Sequence, residues 1–312
     1  MAISANSVHI FSMQKDANRT LFDWMNYHGK LVGYDHIHLI NHMPEGYIPD
    51  RHHSETMASF ARKGVDISIF EGSFEKKASA ISLRMKSLNY AGNILVPLDV
   101  DEFIVLTHPL GNFTVDRDRI LKTFRELPVS GKKFKFAEVE ALSCGGKVDN
   151  RLVMQATHFR RSGRWSNCYA KTFYPGGKFV MTDQGNHHGA QLGDDRRCSH
   201  NVGLHAAGPD IKQCEDCFHF SNLGLAHFGA TALDFDHIVY KNRQRIIAYA
   251  INVEGYTHTD NCSHINGIHY CTFAVTHKLL GHTEMERRWT EQQKKICENS
   301  VQLASFSNFD YQ

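Results

Sequence analysis

Between Ile94 and Leu106 the chain reads Ile-Leu-Val-Pro-Leu-Asp-Val-Asp-Glu-Phe-Ile-Val-Leu, an apolar run with three carboxylates, Asp99, Asp101 and Glu102, at its centre. Ionised carboxylates inside an apolar strand are costly unless they are paired or solvated. The segment therefore suits a strand end that opens on a cleft, or a cation that compensates the charge. If the run is one extended strand, Asp99 and Asp101 are two apart and share a face. Hard oxygen donors on one face suit Mg²⁺ or Mn²⁺, which keep waters and borrow further ligands from a diphosphate. A strand end carrying solvated acids is the plainer alternative. The apolar runs on both sides, Ile94 to Val96 and Phe103 to Leu106, argue for the cation and diphosphate.

A chain of 312 residues, 42% of them hydrophobic, buries enough core for one large domain or a domain with an extension. The formal charge of +2 is near balance and gives no argument for nucleic acid or an anionic membrane as partner. Met1 to Val8 has no basic-then-apolar pattern, and no run approaches the roughly 20 apolar residues of a membrane helix. A soluble, non-secreted, cytoplasmic protein with reduced thiols is expected. Cys198, Cys214 and Cys217, with His200, His205 and His219, leave a structural zinc as a minor alternative.

Val8 to Met13 reads as a first strand and Gln14 to Asn18 as a polar turn. Leu21, Phe22, Trp24, Met25, Tyr27 and Leu31 give a helix its buried face, and Gly33 ends it. His36 to Ile40 is the second strand, so the opening forty residues suggest a parallel βαβ unit. A strand over 64–70, a helix over 71–90, a helix over 115–127 closed by Pro128 and a strand over 133–142 follow. Short strands are expected over 150–182 and helices over 236–253 and 283–304.

Leu98-Asp99-Val100-Asp101-Glu102-Phe103 resembles the DxD element of family 2-like and family 92-like glycosyltransferases of the GT-A fold. Lys15, Asp16, Trp24, His28, Gly33, Asp35, His36 and Asn41 follow the opening pattern of that group in order, with Asp23 where Glu is usual. Lys171 to Pro175, Met181 to Gly189, Leu225 to Phe228 and Tyr240 to Arg243 resemble its later elements more loosely.

The resemblance implies a GT-A domain over 1–245, a mostly parallel sheet with helices on both faces; the C-terminal helical extension expected over 246–312 comes from the residues there and not from the family. It further implies a Mn²⁺ or Mg²⁺ ion held by Asp101, by Asp99 directly or through water or ribose, and by His227, with His187 or His188 as alternatives. Lys15, Asp16 and Asn41 become candidate donor contacts, and Lys77 or Arg84 a candidate neutraliser of phosphate charge. Asp183 is the candidate base on the acceptor side, with Asp194, Asp195, Asp210 and Asp216 as rivals. The activity implied is transfer of a sugar, with inversion, from a nucleotide-sugar donor, UDP preferred, to a glycan or glycoprotein hydroxyl. A metal-dependent nucleotidyltransferase and an inactive nucleotide-sugar-binding protein are the competing readings. Sugar, linkage and oligomeric state are left open.

Overall fold

The computed structural model describes residues 7–15, 19–73, 76–107, 113–128, 132–142, 158–161, 170–194, 198, 216–228, 239, 281–298 and 301–302. The chain opens with β1 (Ser7–Gln14), α1 (Arg19–Val32), β2 (Ile37–His42), α2 (Arg51–Arg62), β3 (Asp66–Phe70), α3 (Lys77–Lys86) and β4 (Asn93–Pro97). These four strands are parallel in the order β3-β2-β1-β4, with Ile10 opposite Ile37 and Val96, and Leu39 opposite Ile67. The period-two pattern of β1 decides which helix covers which face. Val8 and Ile10 pack with Leu21, Trp24 and Met25 of α1, whereas Phe11 and Met13 pack with Ile81 and Met85 of α3. Gly33, at φ 101°, ends α1 by donating its N–H to the Gly29 carbonyl at 3.0 Å.

Two local expectations change. The sequence reading assigns nothing to 51–62, yet α2 forms there because Asp50 accepts the His53 N–H at 2.7 Å and buries His53, Met57 and Phe60 on one face. The helix expected over 71–90 is confined to α3, where burial follows Lys77, Ile81 and Met85 and leaves Leu83 74% exposed.

The remaining elements are β5 (Glu102–Thr107), β6 (Phe113–Thr114), α4 (Arg117–Arg125), β7 (Lys133–Leu142), β8 (His158–Arg161), β9 (Thr172–Pro175), β10 (Phe179–Thr182), β11 (Gly189–Gln191), β12 (Phe218–His227), α5 (His282–Glu298) and β13 (Val301–Gln302). Among the described residues the sheet continues from β4 through β9, β7, β12 and β5 to β6. It is a mixed α/β sheet: β7 and β12 are parallel, while β4–β9, β9–β7, β12–β5 and β5–β6 are antiparallel. β10 and β11 form a separate antiparallel ribbon.

The run from Ile94 to Leu106 is therefore not one strand. β4 ends at Pro97 beside β1, β5 begins at Glu102 beside β12, and the carboxylates lie on the turn between them. The Glu102 N–H donates to the Asp99 carbonyl at 3.1 Å and closes that turn. The shared-face argument for Asp99 and Asp101 fails because neither lies on an extended strand.

The helix expected over 283–304 ends at Glu298, and Val301–Gln302 instead pairs with β8. The helix expected over 236–253 lies outside the described residues, apart from Val239. Among the described residues no helix is long and apolar enough to cross a membrane.

The open edge of β5 is completed by side chains of α1. Trp24 Nε1–H donates to the Glu102 carbonyl at 2.9 Å, Tyr27 Oη–H donates to the Ile104 carbonyl, and the Ile104 N–H points at His28 Nε2 at 3.4 Å. These contacts fix the start of β5, and with it the turn that carries the carboxylates.

Candidate functional site

The site is assembled where the carboxyl ends of β1 and β4 meet the 98–101 turn. Leu98 N–H donates to the Phe11 carbonyl at 2.9 Å, which holds the turn against β1. Asp99 projects between two lysines: Lys77 Nζ, in the first turn of α3, donates to Oδ1 at 2.6 Å, and Lys171 Nζ, just before β9, donates to Oδ2 at 2.6 Å. Both lysine side chains are buried. Burial alone would raise the Asp99 pKa, but the Lys171 and Lys77 ammonium groups overcome it and hold the carboxyl well below the usual carboxylate range.

Glu102 stands on the other side of Lys171, with Oε1 3.4 Å from Nζ and Oε2 accepting the Asp99 N–H at 2.9 Å. Burial pushes its pKa up to about 7 against the pull of Lys171, and the negative charge of Asp99 adds to the rise. Burial also works against the charge of Lys171, yet Asp99 and Glu102 hold its pKa above the ordinary lysine value.

Asp101 faces the end of β12. Its carbonyl accepts the Phe228 N–H at 2.8 Å, one residue past the last ladder pair, His227 with Glu102. This brings His227 Nε2 to 3.8 Å from Asp101 Oδ2. Neighbouring ligands of an octahedral Mn²⁺ or Mg²⁺ ion stand about 3 Å apart, so this carboxylate and imidazole must close by under an ångström to share one ion. Asp99 differs, since ammonium protons face both of its oxygens. Among the described residues no set of three or more ligating side chains converges on one point.

Asp183 begins the turn between β10 and β11. Its Oδ1 accepts the His188 N–H at 3.1 Å and its carbonyl accepts the Asn186 N–H at 3.1 Å. Asn186 occupies the left-handed region at φ 58°, which asparagine tolerates better than most residues. The turn is tied to the cluster because Lys171 Nζ also donates to the Gly185 carbonyl at 2.6 Å. His187 and His188, the alternative ligands, lie in this turn. Of the rival bases, Asp194 is buried against Lys133 at 2.8 Å, Asp216 stands at the start of the 216–228 segment, and Asp195 and Asp210 lie outside the described residues.

The other sequence-derived residues divide. Lys15 is exposed, with Nζ 5.0 Å over the Tyr47 ring, and Asp16 lies outside the described residues. Asn41 is buried at the end of β2, its Oδ1 3.1 Å from His53 Nε2. Arg84 does not join Lys77: seven residues further along α3, it pairs with Asp66 at the opposite, amino edge of the sheet. Lys171 carries the cluster, although the sequence reading gave it no role. Its signals are the loose resemblance of the Lys171–Pro175 stretch and a cation immediately before a short apolar strand.

For Cys198 and Cys217 the expectation of reduced thiols is corrected by a disulfide between them, which also takes both sulfurs out of the minor zinc alternative. Disulfide sulfurs are not the thiolates zinc requires, and Cys214 lies outside the described residues.

No family model matches the chain, and no curated protein matches it.

Proposed function

We propose that the protein is a metal-dependent GT-A glycosyltransferase that moves a sugar, with inversion, from a nucleotide diphosphate donor onto a glycan hydroxyl, with UDP-sugars the preferred donors. The observation that carries this reading is the pairing of Asp101 with His227 at 3.8 Å beside Asp99, which is half-buried between the buried ammonium groups of Lys77 and Lys171, at the carboxyl edge where open α/β sheets bind ligands. The donor set fits a divalent cation at Asp101 and His227, with the remaining ligands drawn from diphosphate and water. Such a cation would supply positive charge to the departing diphosphate.

The chain's own residues do the rest. Lys77, at the amino end of α3, presents an ammonium group to the same edge, where an anionic leaving group needs charge stabilisation. Asp183, held by the His188 N–H, is the acceptor-side base: an ionised carboxylate within reach of a hydroxyl takes its proton as that oxygen attacks the anomeric carbon. Inversion then follows from direct displacement, without a covalent enzyme intermediate.

The experiment is a panel of nucleotide sugars incubated with Mn²⁺ and glycan acceptors, with product analysis. Free nucleoside diphosphate with a glycosylated acceptor supports transfer; pyrophosphate indicates nucleotidyl transfer instead. Donor-dependent thermal stabilisation without turnover indicates a binding protein, and a donor at 100 times its Kd stabilises by about 2.7 kcal/mol. Asp183→Asn keeps an oxygen for the His188 N–H and removes the base, so turnover falls about 100-fold or more with donor affinity unchanged.

A further inference from the structure

The polar contacts around Asp99 close into a ring. Lys77 Nζ meets Asp99 Oδ1, and Lys171 Nζ meets Asp99 Oδ2, both at 2.6 Å. Lys171 Nζ also donates to the Gly185 carbonyl at 2.6 Å. Gln184, the neighbour of Gly185, accepts the Ala78 N–H through Oε1 at 3.2 Å, and Ala78 follows Lys77 in the chain. The circuit thus joins the start of α3, the 98–101 turn, the approach to β9 and the β10–β11 turn.

The ring joins segments far apart in sequence, and because the ammonium groups of Lys77 and Lys171 are shielded from water their bonds to Asp99 are stronger than surface ion pairs. Each oxygen of Asp99 accepts from one ammonium group and keeps a second lone pair, so it is the positive charge of Lys77 and Lys171 beside it that repels a further cation. Asp101, two residues on, faces His227 across 3.8 Å.

We propose that Asp99 is a positioning residue rather than a cation ligand: its carboxylate clamps Lys77 and Lys171, and Lys171 latches the Asp183–His188 turn to the Leu98–Asp101 turn through the Gly185 carbonyl. The ring sets where Asp183 stands relative to Asp101 and leaves cation binding to Asp101 and His227. Only that last clause rests on the glycosyltransferase reading.

The test uses the full chain and two readouts: Mn²⁺ affinity in the presence of UDP, and hydrogen exchange at the amides of Thr172, Asn186 and His188, whose acceptors lie in the turn. Asp99→Asn is expected to speed exchange at these amides at least tenfold while Mn²⁺ affinity stays within threefold of wild type. Asp101→Asn is expected to weaken Mn²⁺ at least tenfold and leave the exchange unchanged. A loss of Mn²⁺ affinity in Asp99→Asn equal to that in Asp101→Asn overturns the proposal, as does unchanged exchange. If Asp99→Asn does not fold, Lys171→Met and Lys77→Met decide: the first must open the turn, the second must open it less, and equal exchange in both overturns the latch. Absence of Mn²⁺ binding in the wild type removes the cation from the glycosyltransferase reading, and the exchange data still decide for or against the ring.

Discussion

An ammonium group has three protons to donate, and Lys171 directs them to the Asp99 carboxylate, the Gly185 carbonyl and the side of Glu102. Residues of this kind are hard to find in a sequence, because a lysine in a strand normally signals a wet face. Lys133 and Lys135 mislead in the same way: alternating with Phe134 and Phe136 they suggest one solvated side of β7, yet all four are buried. Lys133 is neutralised by Asp194, while Lys135 donates to the Ala170 and His187 carbonyls and lies 4.4 Å over the Phe218 ring. For Lys133 and Lys135 the hydrogen-bond partners stand 35 to 65 residues away, and no local pattern announces them. Glu102 gives the residue-scale prediction. Its folded pKa of about 7 lies above the ordinary 4.5, so between those values the folded protein keeps a proton that the unfolded chain has released. The contribution of Glu102 to stability is therefore complete below pH 4.5 and is lost as pH rises to about 7. Urea unfolding of wild type and Glu102→Gln across pH 4.5 to 8 checks this: the stability difference between them must shift in favour of the variant as pH rises, and a constant difference refutes it.

At the scale of elements, the βαβ opening was legible because apolar spacing, the polar turn after β1 and Gly33 all agreed. The 94–106 run misleads for a specific reason: two apolar strands joined by a four-residue turn have the same composition as one long strand. Only their different partners, β1 for β4 and β12 for β5, tell them apart. α2 was missed because its buried face is narrow and mixed, His53, Met57 and Phe60, although Asp50 stood at its start as a capping residue. Asp50→Ala removes the acceptor for the His53 N–H and is expected to cost about 1 kcal/mol, measured by denaturant unfolding. The disulfide also acts on an element. It ties residue 198 to the start of β12, whose far end carries His227, across a sequence separation of 19. Closing a loop of that length stabilises by about 3 kcal/mol in the chain-entropy account. Cys217→Ala is expected to lower Tm, and reductant is expected to lower the wild-type Tm toward the variant's; a wild type indifferent to reductant refutes the link.

For the molecule as a whole, the decisive feature is how many ionisable groups the fold holds without charge. His28 is buried in α1, with Nδ1 3.0 Å from the Trp24 carbonyl and Nε2 facing the Ile104 N–H, an arrangement that suits the neutral ring. Burial lowers its pKa to about 3. His9 and His38, at the amino edge of the sheet, connect Ser7 to Asp66 through contacts of 2.8, 3.1 and 2.8 Å. Their pKa values fall to about 4, first through burial, then through His38 for His9 and Arg84 for His38. Each of these depressed values means that the unfolded chain takes up a proton below pH 6.5 that the folded protein refuses. Their contribution is thus fully present above pH 6.5 and is lost as pH falls toward 4. Three protons taken up on unfolding, against the one that Glu102 releases, give a net slope of about 3 kcal/mol per pH unit over the middle of this range. Over two pH units such a slope removes about 6 kcal/mol, enough to bring a domain at the low end of the usual 5 to 15 kcal/mol close to unfolding. Urea unfolding at pH 7.5, 6 and 5 measures it directly, and His28→Phe, which cannot titrate, is expected to reduce the slope by about 1.4 kcal/mol per pH unit whatever its effect on stability at pH 7.5. A wild-type curve that is flat between pH 6.5 and 4.5 contradicts the neutral, buried state of these rings, and with it the packing of α1 against β5 that fixes the start of the carboxylate turn.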